Sequence, residues 1–274
     1  MDHDRRIDKV DLILAEEFEE LGTEVRRRVE TMHGLSALRT KIDGDTTHAF
    51  DTMAEQRIVR ALERSGISAV VSSEESDDFV IGGGDDYLVI VDPIDGSDMV
   101  ARGYPLASTA ISLIDRSRGV PIYSRIYEIF TGCHFVAKNG AATRNGRVMA
   151  PSKIDDLASA FIVSYSATFT RRTTSAMQRI LGTRSSLFLN YGGPLDIAKV
   201  GSGQCEAVVE SIKGFPPRDL IPGLHIATCA GAVATDLDGD PLPLSFDRDS
   251  RITFVAAANT ALLDQLLAAV TVAP

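Results

Sequence analysis

The chain has 274 residues, 44% of them hydrophobic and 24% charged, which is enough apolar side chain for a full core in one large domain or two small ones. Its formal net charge of −10 argues against a polyanion partner, because nucleic-acid binding rests on Lys and Arg neutralising phosphates; no nucleic-acid role is expected. Three cysteines, Cys133, Cys205 and Cys229, stand far apart and in no C-x-x-C pattern, so they indicate neither a disulfide framework nor a zinc site and suit a reducing compartment.

Met1 to Arg6 is charged and leads into an amphipathic stretch instead of the apolar run of a secretory signal, and no segment is long and apolar enough to span a bilayer. A cytoplasmic protein without a membrane partner is the expectation. Apolar residues at Val10, Leu12, Ile13, Leu14, Phe18 and Leu21 recur at helical spacing and predict one helix over about 5–32, with Arg26, Arg27 and Arg28 on a solvated face. Asp51-Thr52-Met53-Ala54-Glu55 opens a second helix with a capping-box pattern; Ile58, Val59 and Leu62 give it an inward face, and Gly66 ends it.

A sheet follows. Ala69 to Ser72, Tyr87 to Val91, Ser108 to Ile114, Pro121 to Ile129 and Cys133 to Lys138 are β-rich runs, and Asn139-Gly140 and Asn145-Gly146 read as tight turns. The second half alternates: strand Phe161 to Ser164, helix Ser175 to Leu181, strand Ser186 to Asn190, helix Pro194 to Val200, strand Ala207 to Glu210, helix Leu220 to Gly231, strand Arg251 to Ala257 and a terminal helix Thr260 to Val270. With no repeat or long linker, an α/β protein of layered helices and sheets is expected as a single unit over 1–274, with an N-terminal half (about 1–150) and a C-terminal half (about 151–274).

The strand Tyr87 to Val91 is apolar on both faces, yet it runs straight into Asp92, Asp95 and Asp98. Two carboxylates three residues apart at a strand end, with Pro93 stiffening the turn, can converge on one cation, and the Ile94 carbonyl between them can add a ligand. The backbone N–H groups that follow, at Gly96 and Ser97, can cradle an anion. Taken alone, Asp-Pro-Ile-Asp-Gly also reads as an exposed Asp-rich bend. Two neighbours favour the metal reading: the strand Ala69 to Ser72 ends in Ser73-Glu74-Glu75-Ser76, and Asp43, Asp45 and Asp51 surround a helix start. The acid-rich Asp43-Gly-Asp45 and Asp236 to Asp240 segments lack the glycine of a calcium loop and read as turns. His225 reads as a packed helix residue, and His134 has no partner suggested by spacing.

These residues resemble the inositol monophosphatase family of magnesium-dependent, lithium-sensitive phosphatases. The run Asp92 to Ser97 satisfies its D-P-[IL]-D-G-[TS] loop in full, Glu74-Glu75 matches its upstream Glu pair, and Asp45 and Asp51 match the acids before its second helix. Asp219, twelve residues before Gly231, matches the spacing from its last metal-binding Asp to an Ala-Gly pair; Asp196 falls instead in its G-S-A-A-L-D helix. Arg218 replaces the usual Trp, Pro222 a Gly or Ala, and Ala232 the second Gly. Glu210 resembles the Glu that contacts the sugar or inositol ring, but two extra residues separate it from Asp219.

The resemblance implies an αβαβα sandwich, a homodimer, and two or three Mg²⁺ ions, with Mn²⁺ as a substitute and Li⁺ as an inhibitor. It implies that Glu74, Asp92 and the Ile94 carbonyl hold one ion and that Asp92, Asp95 and Asp219 hold a second. Asp51 and the Ser97 hydroxyl, with Glu74, would orient the attacking water, Gly96 and Ser97 N–H groups would bind phosphate, and Glu210 and Asp95 would contact the substrate. A small phosphorylated metabolite, an inositol or sugar phosphate, is the implied partner. The rivals are a fructose-1,6-bisphosphatase-like or 3′-phosphonucleotide phosphatase, with Arg171-Arg172 as a second phosphate contact, and a non-catalytic relative that binds cations or a ligand.

Overall fold

The computed structural model describes residues 2–31, 37–40, 46–165, 178–180, 182–183, 185–190 and 193–271. Asp43, Asp45, Arg171 and Arg172 lie outside the described residues, as does most of the expected helix Ser175 to Leu181, of which 178–180 are helical. By its internal contacts the chain divides into 1–139 and 140–274, whereas the sequence suggested halves meeting near 150.

In the first unit, helix α1 (Asp2–Thr31) buries Val10, Leu14, Phe18, Leu21 and Val25, a stripe at three- and four-residue spacing, and leaves Leu12 exposed. Strands β1 (Ala37–Thr40) and β2 (Thr46–His48) pair antiparallel, and β2 runs directly into α2 (Ala49–Ser65). Glu17 of α1 bonds Arg57 and Arg64 of α2, which joins the two helices. Arg27 and Arg28 pair with Glu24, but Arg26 departs from the expected solvated face, because its guanidinium donates to the Ile129 carbonyl and the Tyr127 hydroxyl.

Strands β3 (Ala69–Ser73), β4 (Phe79–Ile81), β5 (Tyr87–Asp95), β6 (Ser108–Asp115), β7 (Val120–Glu128) and β8 (Cys133–Lys138) lie in the order β4-β3-β5-β6-β7-β8. Only β3 and β5 are parallel; the other neighbours are antiparallel. One face of this sheet, with Val71, Val89, Val91, Ile111 and Leu113, packs with Phe18 and Leu21 of α1 and Ile58 and Leu62 of α2 into a single core. A short helix, α3 (Ser97–Ala101), follows β5.

In the second unit β9 (Ala141–Arg144) and β10 (Arg147–Val148) form a hairpin whose turn residues Asn145 and Gly146 both have positive φ, as the sequence suggested. Strands β11 (Phe161–Tyr165), β12 (Ser186–Asn190), β13 (Ala207–Phe215), β14 (Val233–Thr235) and β15 (Ile252–Ala257) make a five-stranded sheet in the order β12-β11-β13-β15-β14. Its two faces alternate along each strand. Val208, Phe254 and Ala256 pack with α4 (Pro194–Gly201) and α5 (Pro217–Cys229), while Ala207, Val209, Val255 and Ala257 pack with α6 (Thr260–Thr271). Among the described residues no helix is long and apolar enough to cross a membrane.

Candidate functional site

Because β3 and β5 are parallel, with Ser73 opposite Val91, both strands end at the same edge of the sheet. Glu74 and Glu75 leave that edge from β3, and Asp92 and Asp95 from β5. Helix α2 runs back from this edge, with Asp51 in its first turn, where the helix dipole favours a negative charge. Glu55, one turn along from Asp51, accepts a 2.8 Å hydrogen bond from the Ser76 hydroxyl, and this ties the start of α2 to the segment that carries Glu74. Asp51, Glu74, Asp92 and Asp95 are thus all carried by elements that reach one edge of the first unit.

A regular strand would send Asp92 and Asp95 to opposite faces, since they are an odd number of residues apart. Between them the pairing with β6 slips: Asp92 lies opposite Ala110 and Asp95 opposite Ser108. Three residue steps on β5 therefore span two on β6, a one-residue bulge that brings both carboxylates to the same side and turns the Ile94 side chain into the core. The bulge is held by two side chains of β6. Thr109 Oγ1 donates to the Pro93 carbonyl at 2.9 Å, and Ser108 Oγ donates to Asp95 Oδ2 at 3.2 Å. Neither was among the expected site residues; Ser108 and Thr109 read only as the start of a strand.

After Asp95 the chain turns at Gly96, whose φ of +81° lies in the left-handed region. A Cβ there would come within 2.6 Å of the Leu106 carbonyl oxygen, so no other residue fits without displacement. Gly96 also caps α3, whose first residue is Ser97, half-buried beside the carboxylates in sequence. Asp51 and Asp92 are each 2% exposed, and the Oδ1 atom of each is sealed from solvent. Buried carboxylates call for compensating positive charge, and a set made entirely of carboxylate, hydroxyl and carbonyl oxygens is the chemistry of a hard divalent cation such as Mg²⁺. Among the described residues no three His, Cys, Asp or Glu side chains are gathered as a group that would hold one ion.

The second unit carries Asp219 and Glu210. Asp219 stands in the first turn of α5, which begins at Pro217, three residues earlier than the sequence suggested; proline is well suited to a first helical position, where its missing N–H is not needed. Arg218 Nε lies 3.7 Å from Asp219 Oδ1, so the residue that replaces the family's Trp places a cation next to this carboxylate. Glu210, on β13, is fully buried. Its Oε1 accepts from the backbone N–H groups of Ile212, Lys213 and Gly214, and burial outweighs those three donors in pushing its carboxyl above the usual range. Asp196 is buried in the first turn of α4, away from any assigned role. His225 is held down to about 4 by burial, as expected of a packed helix residue. Asp236 Oδ1 accepts from the N–H groups of Asp238 and Asp240, a closed turn as expected.

The mixed α/β fold, with its two sheets and packed helices, is shared with solved structures. The structure titled extragenic suppressor protein suhB from Bartonella henselae is similar at a TM-score of 0.83, with 21% identity, covering 96% of this chain and 98% of that one, which bears on the fold alone. The inositol monophosphatase family matches residues 6–273, and the chain belongs to that family. It is 29% identical to the fructose-1,6-bisphosphatase/inositol-1-monophosphatase of Archaeoglobus fulgidus, over 90% of this chain and 94% of that protein. It is also similar, at 25% identity over 85% of this chain and 82% of the other, to a Xylella fastidiosa protein named Nus factor SuhB.

Proposed function

We propose that this chain hydrolyses a small phosphate monoester, an inositol or sugar phosphate, with the help of Mg²⁺. The observation that carries the reading is the bulge in β5, which turns Asp92 and Asp95 to one side at the strand edge where Glu74 and Asp51 also arrive. Glu74, Asp92 and the Ile94 carbonyl would hold one ion; Asp92 and Asp95 would hold a second, to which the family resemblance adds Asp219. An ion held by these residues would supply charge neutralisation for the phosphoryl and leaving oxygens and a lowered pKa for water.

The chain's own groups supply the rest. Asp51, buried at the start of α2, orients the attacking water and accepts its proton, with the Ser97 hydroxyl fixing the second hydrogen-bond direction. The N–H groups of Gly96 and Ser97, at the start of α3, hold the phosphate oxygens. The names of the archaeal relatives pair fructose 1,6-bisphosphate with inositol 1-phosphate, so both belong in the substrate panel. A non-catalytic reading is favoured only by the relatives named Nus factor SuhB.

Phosphate release from inositol 1-phosphate, fructose 1,6-bisphosphate and a 3′,5′-bisphosphonucleotide, with and without Mg²⁺ and Li⁺, tests the proposal. Magnesium-dependent, lithium-inhibited turnover that Asp92→Asn abolishes, with the fold retained, supports it. Mg²⁺ that neither raises the melting temperature nor supports turnover of any ester would sink it.

A further inference from the structure

Glu210 matches, by resemblance, a Glu that contacts a ring hydroxyl, yet its surroundings give it other work. Between Glu210 and Phe215 the pairing of β13 with β15 slips: Glu210 lies opposite Phe254 and Phe215 opposite Ile252, so the intervening residues loop out as a wide bulge. Glu210 Oε1 draws in that loop through N–H bonds from Ile212 at 2.7 Å, Lys213 at 3.0 Å and Gly214 at 3.2 Å. Gly214 closes it with φ +75°, where a Cβ would meet the Ile252 nitrogen at 2.7 Å. Two residues further on, Pro216 caps α5, which carries Asp219 in its first turn.

The hydrogen bonds that this carboxylate makes are all to its own backbone. Oε1 already accepts three donors, and Oε2 is sealed from solvent with no hydrogen-bond partner among the described residues. A group that reads a hydroxyl must present an oxygen to it, and Glu210 is 0% exposed. The position of α5, by contrast, depends on where the bulge ends.

We propose that Glu210 is a positioning residue: it folds the Ser211–Gly214 bulge that sets the start of α5, and hence Asp219, and it does not bind the substrate ring. This rests on the proposed function insofar as Asp219 is taken as a metal ligand.

The test compares wild type, Glu210→Gln and Glu210→Ala on inositol 1-phosphate and on p-nitrophenyl phosphate, an ester without ring hydroxyls, across a Mg²⁺ titration. The brace predicts that E210A raises the Mg²⁺ half-saturation several-fold on both esters alike. It predicts that E210Q, whose amide oxygen still accepts the three N–H groups, recovers most of the loss. A rise in KM of about tenfold in both variants, confined to inositol 1-phosphate, would show a ring ligand and overturn the proposal; so would an E210A indistinguishable from wild type. Should E210A fail to fold, the ratio of the two activities in E210Q decides alone: unchanged for a brace, fallen for a ligand. If wild type releases phosphate from neither of these esters nor from the rest of the panel, the proposed function fails while the brace remains measurable by amide exchange. Protection of Ile212, Lys213 and Gly214 kept in E210Q but lost in E210A supports it, and protection in E210A equal to wild type overturns it.

Discussion

Replacing Asp11 by Ala should remove more stability than any surface substitution on α1. Asp11 Oδ1 accepts from Arg125 Nη2 at 2.5 Å and from the Tyr123 hydroxyl at 3.0 Å, and Oδ2 accepts from Lys138 Nζ at 2.9 Å. The two cations are not equivalent. Lys138, 34% exposed, rehydrates when released and accounts for about 0–1 kcal/mol. The Arg125 side chain, 6% exposed, cannot rehydrate, and leaving its charge buried without Asp11 costs about 3–5 kcal/mol. Asp11→Asn keeps an acceptor but not the charge, so it should lose about half as much. Urea denaturation at pH 7 measures both variants. Burial raises the Asp11 carboxyl, but Arg125 and Lys138 outweigh it and hold it below its ordinary 3.8, so its stabilisation is present above that value and is lost as pH falls through the lower folded one. An Asp11→Ala protein within about 1 kcal/mol of wild type at pH 7 would refute the assignment of a buried, rigidly paired Arg125.

His134 belongs to the same network. Its Nδ1 stands 2.6 Å from Arg125 Nη1, which can only donate, so Nδ1 must be unprotonated, and Nε2 donates to Glu19 at 3.3 Å. Burial and then Arg125 hold its pKa below the ordinary 6.5, so its contribution is complete above 6.5 and is lost as pH falls from there; the stability drop between pH 7 and 5 should shrink in His134→Gln, read by thermal melts at each pH. Gly96→Ala forces a side chain into the left-handed region and against the Leu106 carbonyl, and should cost at least about 1–2 kcal/mol while displacing the Ser97 amide; unfolding and phosphate-release assays on the same preparation check both. Thr109→Val leaves the buried Pro93 carbonyl without its donor, an expected loss of about 1–3 kcal/mol that Thr109→Ser restores in urea melts.

Much of the fold is legible because its long elements carry strong periodicity. The α1 stripe and the runs that became β5 to β8 follow directly from apolar spacing. Short edge pieces escaped: β4, β10 and β14 span two or three residues each, too few for alternation to register, and their pairing is set by neighbours distant in sequence. The start of α5 at Pro217 precedes the apolar spacing from Leu220 on which the expected helix rests. In the network around Asp11, His134 had no partner within its own strand, because Glu19 and Arg125 reach it from α1 and the neighbouring strand. The acids of the candidate site announced themselves by type, but not their arrangement. Ser108, Thr109, Glu55 and Ser76, which hold those acids in place, carry no signal beyond the element they sit on.

Two strands carry acids where the ladder slips, β5 between Asp92 and Asp95 and β13 between Glu210 and Phe215. A regular ladder commits each backbone carbonyl to a neighbour and alternates side chains across the sheet, so it can neither lend a carbonyl to a cation nor aim two nearby carboxylates the same way. A slip releases both constraints, but the freed backbone groups must then be satisfied inside the protein. In β5 the Thr109 hydroxyl takes the Pro93 carbonyl, and in β13 the Glu210 carboxylate takes three N–H groups. One slip thus frees acids for chemistry and is mended by a neutral hydroxyl. The other is mended by an acid, and an acid fixed in that way is no longer free to read a substrate.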